Sequence, residues 1–264
     1  MKIYHSLIFD TDATILAFLL FAFMLLSILY GRKLGLKRFS TGRYIDASST
    51  KTIISAMFGL LAFLLAFTFG MSGNRYDTRR GHIVDEANAI GTAILRADLY
   101  EDADRTEFRN DFKKYVDARI EYFEAGKDIQ RVLAANDLAG EYGQRLWSHA
   151  TKLAHVPGNN TQTMQMVPAL NAMFDISTTR QMAELERVPD SIVLMLFVVS
   201  LASGFYLGYT SPESKLDWLV AVGFCLLTSV VVYITLDLDR PRRGFINLSA
   251  SHDAMLQLRQ NFEN

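Results

Sequence analysis

The sequence predicts an all-α membrane protein, with four transmembrane helices in two hairpins and a helical extramembrane domain between them. Three observations lead there. Four windows carry no charged residue: Ala13–Gly31, Thr52–Asn74, Ser191–Pro212 and Trp218–Leu236. At about 1.5 Å rise per residue, each is long enough to cross a hydrocarbon core of roughly 30 Å. The stretch between the second and third windows has a mixed, water-facing charge pattern and apolar residues at helical spacing. No window alternates at period two, so no sheet is expected.

The expected organisation is a first hairpin over 1–74, a helical domain over 75–190, a second hairpin over 191–236 and a tail over 237–264. The first window reads as a retained helix. Only Lys2 precedes Asp10 and Asp12, and Tyr30-Gly31 passes into Arg32 and Lys33 instead of a small-residue cleavage site. The loop from Arg32 to Lys51 is basic, and the loop from Glu213 to Asp217 is very short.

The second window runs without a breaker into Arg75, Tyr76, Asp77, Thr78, Arg79 and Arg80. Beyond it, Ile83, Ala87, Ile90, Ile94 and Ala97 alternate spacings of four and three, one stripe of a helix that continues from the span. The carboxylates Glu101, Asp102 and Asp104 mark the start of the next helix. Its apolar side holds Phe108, Phe112, Tyr115, Ile120 and Phe123, and Gly126 stops it. A third stretch carries Leu146, Trp147, Ala150, Leu153 and Ala154 and breaks at Val156-Pro157-Gly158. A fourth covers roughly Thr163 to Arg187, with Pro168 tolerable only near its first turn.

Composition excludes several classes. Positions 75 to 190 hold fifteen Lys or Arg against nineteen Asp or Glu, so there is no sustained basic face for nucleic acid. The single cysteine, Cys225, lies inside a span and rules out an intrachain disulfide. No enzyme signature is complete. Gly126-Lys127-Asp128 lacks the rest of a phosphate loop, and there is no Gly-x-Ser-x-Gly elbow. His82 and Glu86 lie four apart, but two groups do not make a zinc site, and His5, His149, His155 and His252 show no ligand spacing. No metal, cofactor or catalytic residue is therefore expected. None of the windows holds an ionisable residue of the kind a proton relay needs.

On the second span, Phe63, Phe67 and Met71 share one face, with Gly59 and Gly70 as small neighbours that permit close helix approach. Such a face serves lipid contact, interhelical packing, or an apolar ring around a pore in an oligomer. Periodicity alone does not separate these.

Short elements add a resemblance. The run from Gly70 through Asn74, Arg75, Tyr76 and Asp77 to Arg79-Arg80 resembles the end of the bestrophin pore helix. Asp239-Arg240-Pro241-Arg242-Arg243-Gly244 and Asp253-Ala254-Met255-Leu256 resemble later bestrophin elements in the same order. The segments Asp85-Glu86-Ala87-Asn88-Ala89-Ile90-Gly91-Thr92 and Leu236-Asp237-Leu238-Asp239-Arg240-Pro241 are similar to a functionally uncharacterised bacterial four-span family, the bestrophin-like proteins. The resemblance covers most of the chain from the second span onward. It implies a homo-oligomeric ion channel in a bacterial inner (plasma) membrane, passing anions along the second helix, with Phe63, Phe67 and Met71 at an apolar neck. The sequence departs from true bestrophins at Arg79-Arg80, where they carry a Trp pair, and at Arg242-Arg243, where they carry Phe. A non-conducting membrane scaffold or sensor that binds a protein partner is the alternative reading.

The basic residues after the second and fourth spans meet at one membrane face. Arg75, Arg79, Arg80, Arg242 and Arg243 are expected to pair with Asp77, Asp85, Asp237 and Asp239. Sidedness draws two answers. Arg32, Lys33, Lys37, Arg38, Arg43 and Lys51 place the first loop in the cytoplasm by the positive-inside rule, whereas a bestrophin arrangement reverses it. The short first hairpin, where orientation is usually set, tips the choice to the charge rule.

Overall fold

The computed structural model describes residues 9, 11–41, 47–210 and 217–262, with backbone alone over 47–51. Lys2, His5, Asp10, Arg43, the side chain of Lys51 and the loop residues 213–216 lie outside the described residues. Among the described residues, these helices follow in order: α1 (Ala13–Ser40), α2 (Ala47–Ala97), α3 (Asp102–Glu124), α4 (Ile129–Leu153), α5 (Asn160–Leu185), α6 (Asp190–Tyr209), α7 (Trp218–Leu238) and α8 (Ser249–Gln260). There is no strand among the described residues. Two compact units result, one of residues 1–74 and 187–240, the other of 75–186 and 241–264.

The first unit is the membrane unit, with one long apolar helix from each charge-free window. Two of its helices, α1 and α7, start on side-chain caps: Asp12 Oδ1 accepts from the Thr14 amide at 2.8 Å, and Asp217 Oδ1 from the Leu219 amide at 3.0 Å. Lys37 and Arg38 lie in the last turn of α1, where cations offset the negative end of the helix dipole. Leu20, Met24 and Ile28 on α1 pack with Val193 and Leu196 on α6 and with Cys225 and Val232 on α7. Within the chain, close approach of helices is made at glycines other than Gly59 and Gly70. A Cβ at either would meet nothing within 4 Å. At Gly31 and Gly35 it would overlap the carbonyl oxygens of Phe205 and Tyr209, and at Gly208 that of Ile28. These glycines sit four apart on α1, and Gly204 and Gly208 sit four apart on α6, so the backbones meet along a seam of missing side chains.

The second unit is a helical assembly with its own core. Ile83, Ala87, Ile90, Ile94 and Ala97 are all buried, as their spacing predicts. Around them pack Phe108, Phe112 and Val116 of α3, Leu146 and Ala150 of α4, and Met166, Leu170 and Met173 of α5. Met255 from α8 joins the same core, so the chain after Pro241 belongs to this unit. Gly126 breaks the chain after α3 at φ 53°, a left-handed conformation open to glycine without strain. The helix through Trp147 begins at Ile129, capped by Asp128. The helix expected from roughly Thr163 begins earlier, at Asn160, which puts Pro168 in its interior. A mid-helix proline costs about 3 kcal/mol, and burial of Met166, Leu170 and Met173 around it opposes that cost.

Candidate functional site

On α2, Phe63 and Phe67 stand one turn apart with rings stacked, centroids 6.1 Å apart and planes 15° from parallel. They are 65% and 52% exposed, and Met71 is half-buried. Leu61, Thr68 and Ser72 are buried, and the Thr68 hydroxyl donates to the Leu64 carbonyl at 2.7 Å, so it presents no unmet donor to lipid. Only 11% of the apolar window of α2 is buried within the chain, against 28% for α1, 33% for the window within Asn160–Tyr209 and 39% for α7. The second span is therefore the least covered of the four.

Past Asn74 the residues turn polar, and the arginines take partners other than those expected. Arg79 is buried and donates from Nε to the Ala183 carbonyl at 3.0 Å and from Nη2 to the Glu186 carbonyl at 2.6 Å. A cation thus closes the C-terminal end of α5, where carbonyls lack intrahelical partners. Arg80 Nε donates to Ser251 Oγ at 3.4 Å, and Tyr76 Oη to the Asn247 carbonyl at 3.1 Å. Asp77 and Asp85 are exposed, with Asp85 4.0 Å from His82. Arg242 pairs with Glu184: Nε and Nη2 lie 3.1 and 2.8 Å from Oε2, while Nη1 donates to the Tyr122 carbonyl at 2.8 Å. Arg243 is exposed. In the membrane unit, Asp239 Oδ2 accepts the Val188 amide at 2.6 Å, with Asp237 and Arg240 buried nearby in sequence. The expected Arg–Asp clasp is thus corrected at Arg80 and Arg242, whose partners are Ser251, Glu184 and a backbone carbonyl.

At the centre of the helical unit, Glu86 is fully buried and takes an arginine on each oxygen, Arg119 Nε on Oε1 and Arg180 Nη1 on Oε2. Tyr122 lies against three guanidinium carbons, 4.6 Å from Arg119, 5.6 Å from Arg180 and 4.3 Å from Arg242, and its hydroxyl donates to Glu184 at 3.0 Å. Burial alone would raise the Glu86 carboxyl, but the two arginines outweigh it and hold it below its ordinary value. Glu86 is therefore a structural anion joining α2, α3 and α5, not half of a ligand pair with His82.

One group among the described residues has ligand geometry: Asp104, Glu107 and His149. His149 Nε2 lies 3.1 Å from Asp104 Oδ1 and 3.7 Å from Glu107 Oε2, and its ring stacks on Phe108 at 4.3 Å. A histidine on α4 has met two carboxylates on α3 across a separation no spacing motif reports. The hydrogen bond between His149 and Asp104 accounts for the approach.

A family model described as Bestrophin-like domain matches residues 18–252, nearly the whole chain. The chain belongs to the bestrophin-like family. A search of curated proteins finds no match. Among solved structures, a point variant of a bacterial bestrophin homologue from Klebsiella pneumoniae superposes with TM-score 0.69 at 12% identity, covering 94% of this chain and 99% of that one. A second crystal structure of that homologue gives TM-score 0.67 at 14% identity, with 91% and 97% covered. The likeness establishes a shared all-α membrane fold.

In this bestrophin-like chain the motif residues fall into two kinds. Arg79, Glu86, Asp237, Asp239 and Arg240 are buried, whereas Asn74, Asp77, Asp85, Asn88 and Arg243 are exposed. Arg119, Arg180, Glu184 and Tyr122 were missed in the sequence, although a signal existed. Arg119 continues the stripe of Phe108, Phe112 and Tyr115 at spacings of four and three, and Arg180 lies seven residues, about two turns, beyond Met173 on the face of Met166 and Leu170. A charge on an apolar stripe announces a buried partner.

His252 of α8 lies in the same unit, stacked on Phe123 at 4.0 Å, with neither ring nitrogen hydrogen-bonded among the described residues. Burial, helped by the Arg180 charge and opposed by Asp253, lowers it to about 4. The folded ring is thus neutral while an unfolded one protonates from about pH 6.5, so stability falls as pH drops from about 6.5 towards 4. Glu86, with its lowered carboxyl, adds a further loss below the ordinary carboxylate range. Unfolding midpoints followed from pH 7.5 to 4.5 are expected to decline, and His252→Phe to remove the upper part of the decline. An unchanged pH profile in that variant would assign the loss elsewhere.

Proposed function

We propose that this bestrophin-like membrane protein assembles as a homo-oligomer around its second span and conducts anions along it. The carrying observation is α2. Its span Thr52–Asn74 carries no charge, yet only 11% of its apolar window is covered within the chain, and it turns stacked Phe63 and Phe67 outward. Several copies placed with α2 inward would set rings of these side chains, with Met71 one turn on, around a common axis. An apolar ring of that kind gates by dewetting, because a narrow channel without polar groups does not hold water or ions. Beyond Asn74 the wall becomes polar, which gives the neck a hydrated end.

The test is reconstitution. Purified protein is expected to run as a closed oligomer and to pass chloride in vesicles. Phe67→Ala is expected to raise the current about tenfold or more, since shortening the side chain widens and wets the neck. A monomer that passes no anion current, with Phe67→Ala equally silent, overturns the reading and favours the scaffold alternative.

A further inference from the structure

We propose that the C-terminal end of α1 holds a specific site for an anionic phospholipid headgroup. A cavity of about 480 Å³ opens there, walled by Leu34 and Arg38 of α1, Ile53 and Ile54 of α2, and Tyr206 and Tyr209 of α6. That volume is within the range of small-ligand sites.

The chemistry of its walls divides in two. Arg38 Nη1 donates to the Tyr209 hydroxyl at 2.6 Å, which holds the guanidinium at the cavity while its remaining donors stay available at an exposed position. Tyr206 adds a second phenol, and Leu34, Ile53 and Ile54 supply an apolar wall. A ligand with one anionic end and an aliphatic remainder matches both.

Position and charge narrow the ligand further. The charge-free window of α1 ends at Gly31, so the cavity lies where a bilayer passes from hydrocarbon to headgroup. From residue 13 to 41 the chain has four cations, Arg32, Lys33, Lys37 and Arg38, and no carboxylate. The aromatic residues belong to the same level: Tyr30 and Phe205 rings are 6.1 Å apart, and Phe205 stacks on Tyr209 at 5.7 Å. Gly35 against the Tyr209 carbonyl brings α1 and α6 close enough for Arg38 to reach the phenol. Basic pockets between transmembrane helices recognise anionic headgroups in this way, and a phosphodiester presents oxygens that a guanidinium fork can take. Inorganic phosphate would satisfy the charge but leave the apolar wall uncovered.

Full-length protein in neutral detergent, offered phosphatidylglycerol or phosphatidylcholine and read by native mass spectrometry, tests the site. Phosphatidylglycerol is expected to be retained in preference. Arg38→Gln is expected to weaken that retention about fivefold, the effect of one cation at an anionic surface. Arg38→Lys should keep much of it, Tyr209→Phe should weaken it by a smaller factor, and Lys33→Gln, which leaves the cavity wall intact, should change it least. Equal retention of the two lipids overturns the proposal. So does an equal loss in Lys33→Gln and Arg38→Gln, which would indicate a diffuse basic collar. Displacement of the lipid by millimolar inorganic phosphate would reassign the cavity to a free phosphate.

Discussion

Glu86→Ala is expected to destabilise the helical unit by about 3–5 kcal/mol, because it strands Arg119 and Arg180 in a core that excludes water. The size follows from asymmetry. Two arginines sharing one carboxylate leave little net gain over an apolar core, since each charge lost its hydration on folding. Removing the shared anion restores none of that hydration and takes away the attraction that offset it. Glu86→Gln, which keeps the shape and loses the charge, should cost nearly as much. Replacing Glu86, Arg119 and Arg180 together by Leu or Met should recover most of the loss. The measurement is the denaturant midpoint of the purified protein in detergent. If Glu86→Ala moves it by less than about 1 kcal/mol, the range of an exposed pair, the network does not hold this core together.

Gly208→Val is expected to separate α1 from α6 and to destabilise the membrane unit by about 1–3 kcal/mol or more. A Cβ on Gly208 would overlap the Ile28 carbonyl oxygen, which is backbone and cannot rotate aside. Helices in lipid gain no hydrophobic drive from meeting, so their association depends on close van der Waals packing, and a forced gap forfeits it. Gly70→Val serves as the contrast. Its Cβ meets nothing within 4 Å, so within one chain it should be tolerated. A shift in the unfolding midpoint for Gly208→Val but not Gly70→Val bears out the seam. If Gly70→Val alone abolishes the oligomer, the contact made by α2 lies between chains, as the channel reading requires.

The fold was legible where a single helix carries its own evidence. The four charge-free windows each became a long helix, and the Ile83 to Ala97 stripe lies buried along its length. Segments whose fate depends on a distant partner were less legible. Within the chain, the glycines that permit close approach lie on α1 and α6 and not on α2, because glycine spacing shows where a helix can be approached but not which helix arrives. Arg242 was expected to pair within the set Asp77, Asp85, Asp237 and Asp239, yet its carboxylate partner is Glu184, 58 residues away in sequence. His149 showed no ligand spacing for the same reason, since its carboxylates come from another helix.

The sequence by itself determined that this chain crosses a membrane four times, is helical throughout its long interior segment, and carries the motifs of the bestrophin-like family. Hydrocarbon admits only self-satisfied backbone, and a stripe of apolar residues every three or four positions has one way to hide. The tertiary structure decided which charges meet. It buried Glu86 between Arg119 and Arg180, set Arg79 on the end of α5, and left α2 the least covered of the spans. Electrostatic pairing acts over a few ångströms of space, and a one-dimensional chain does not record which residues its folding brings within that reach.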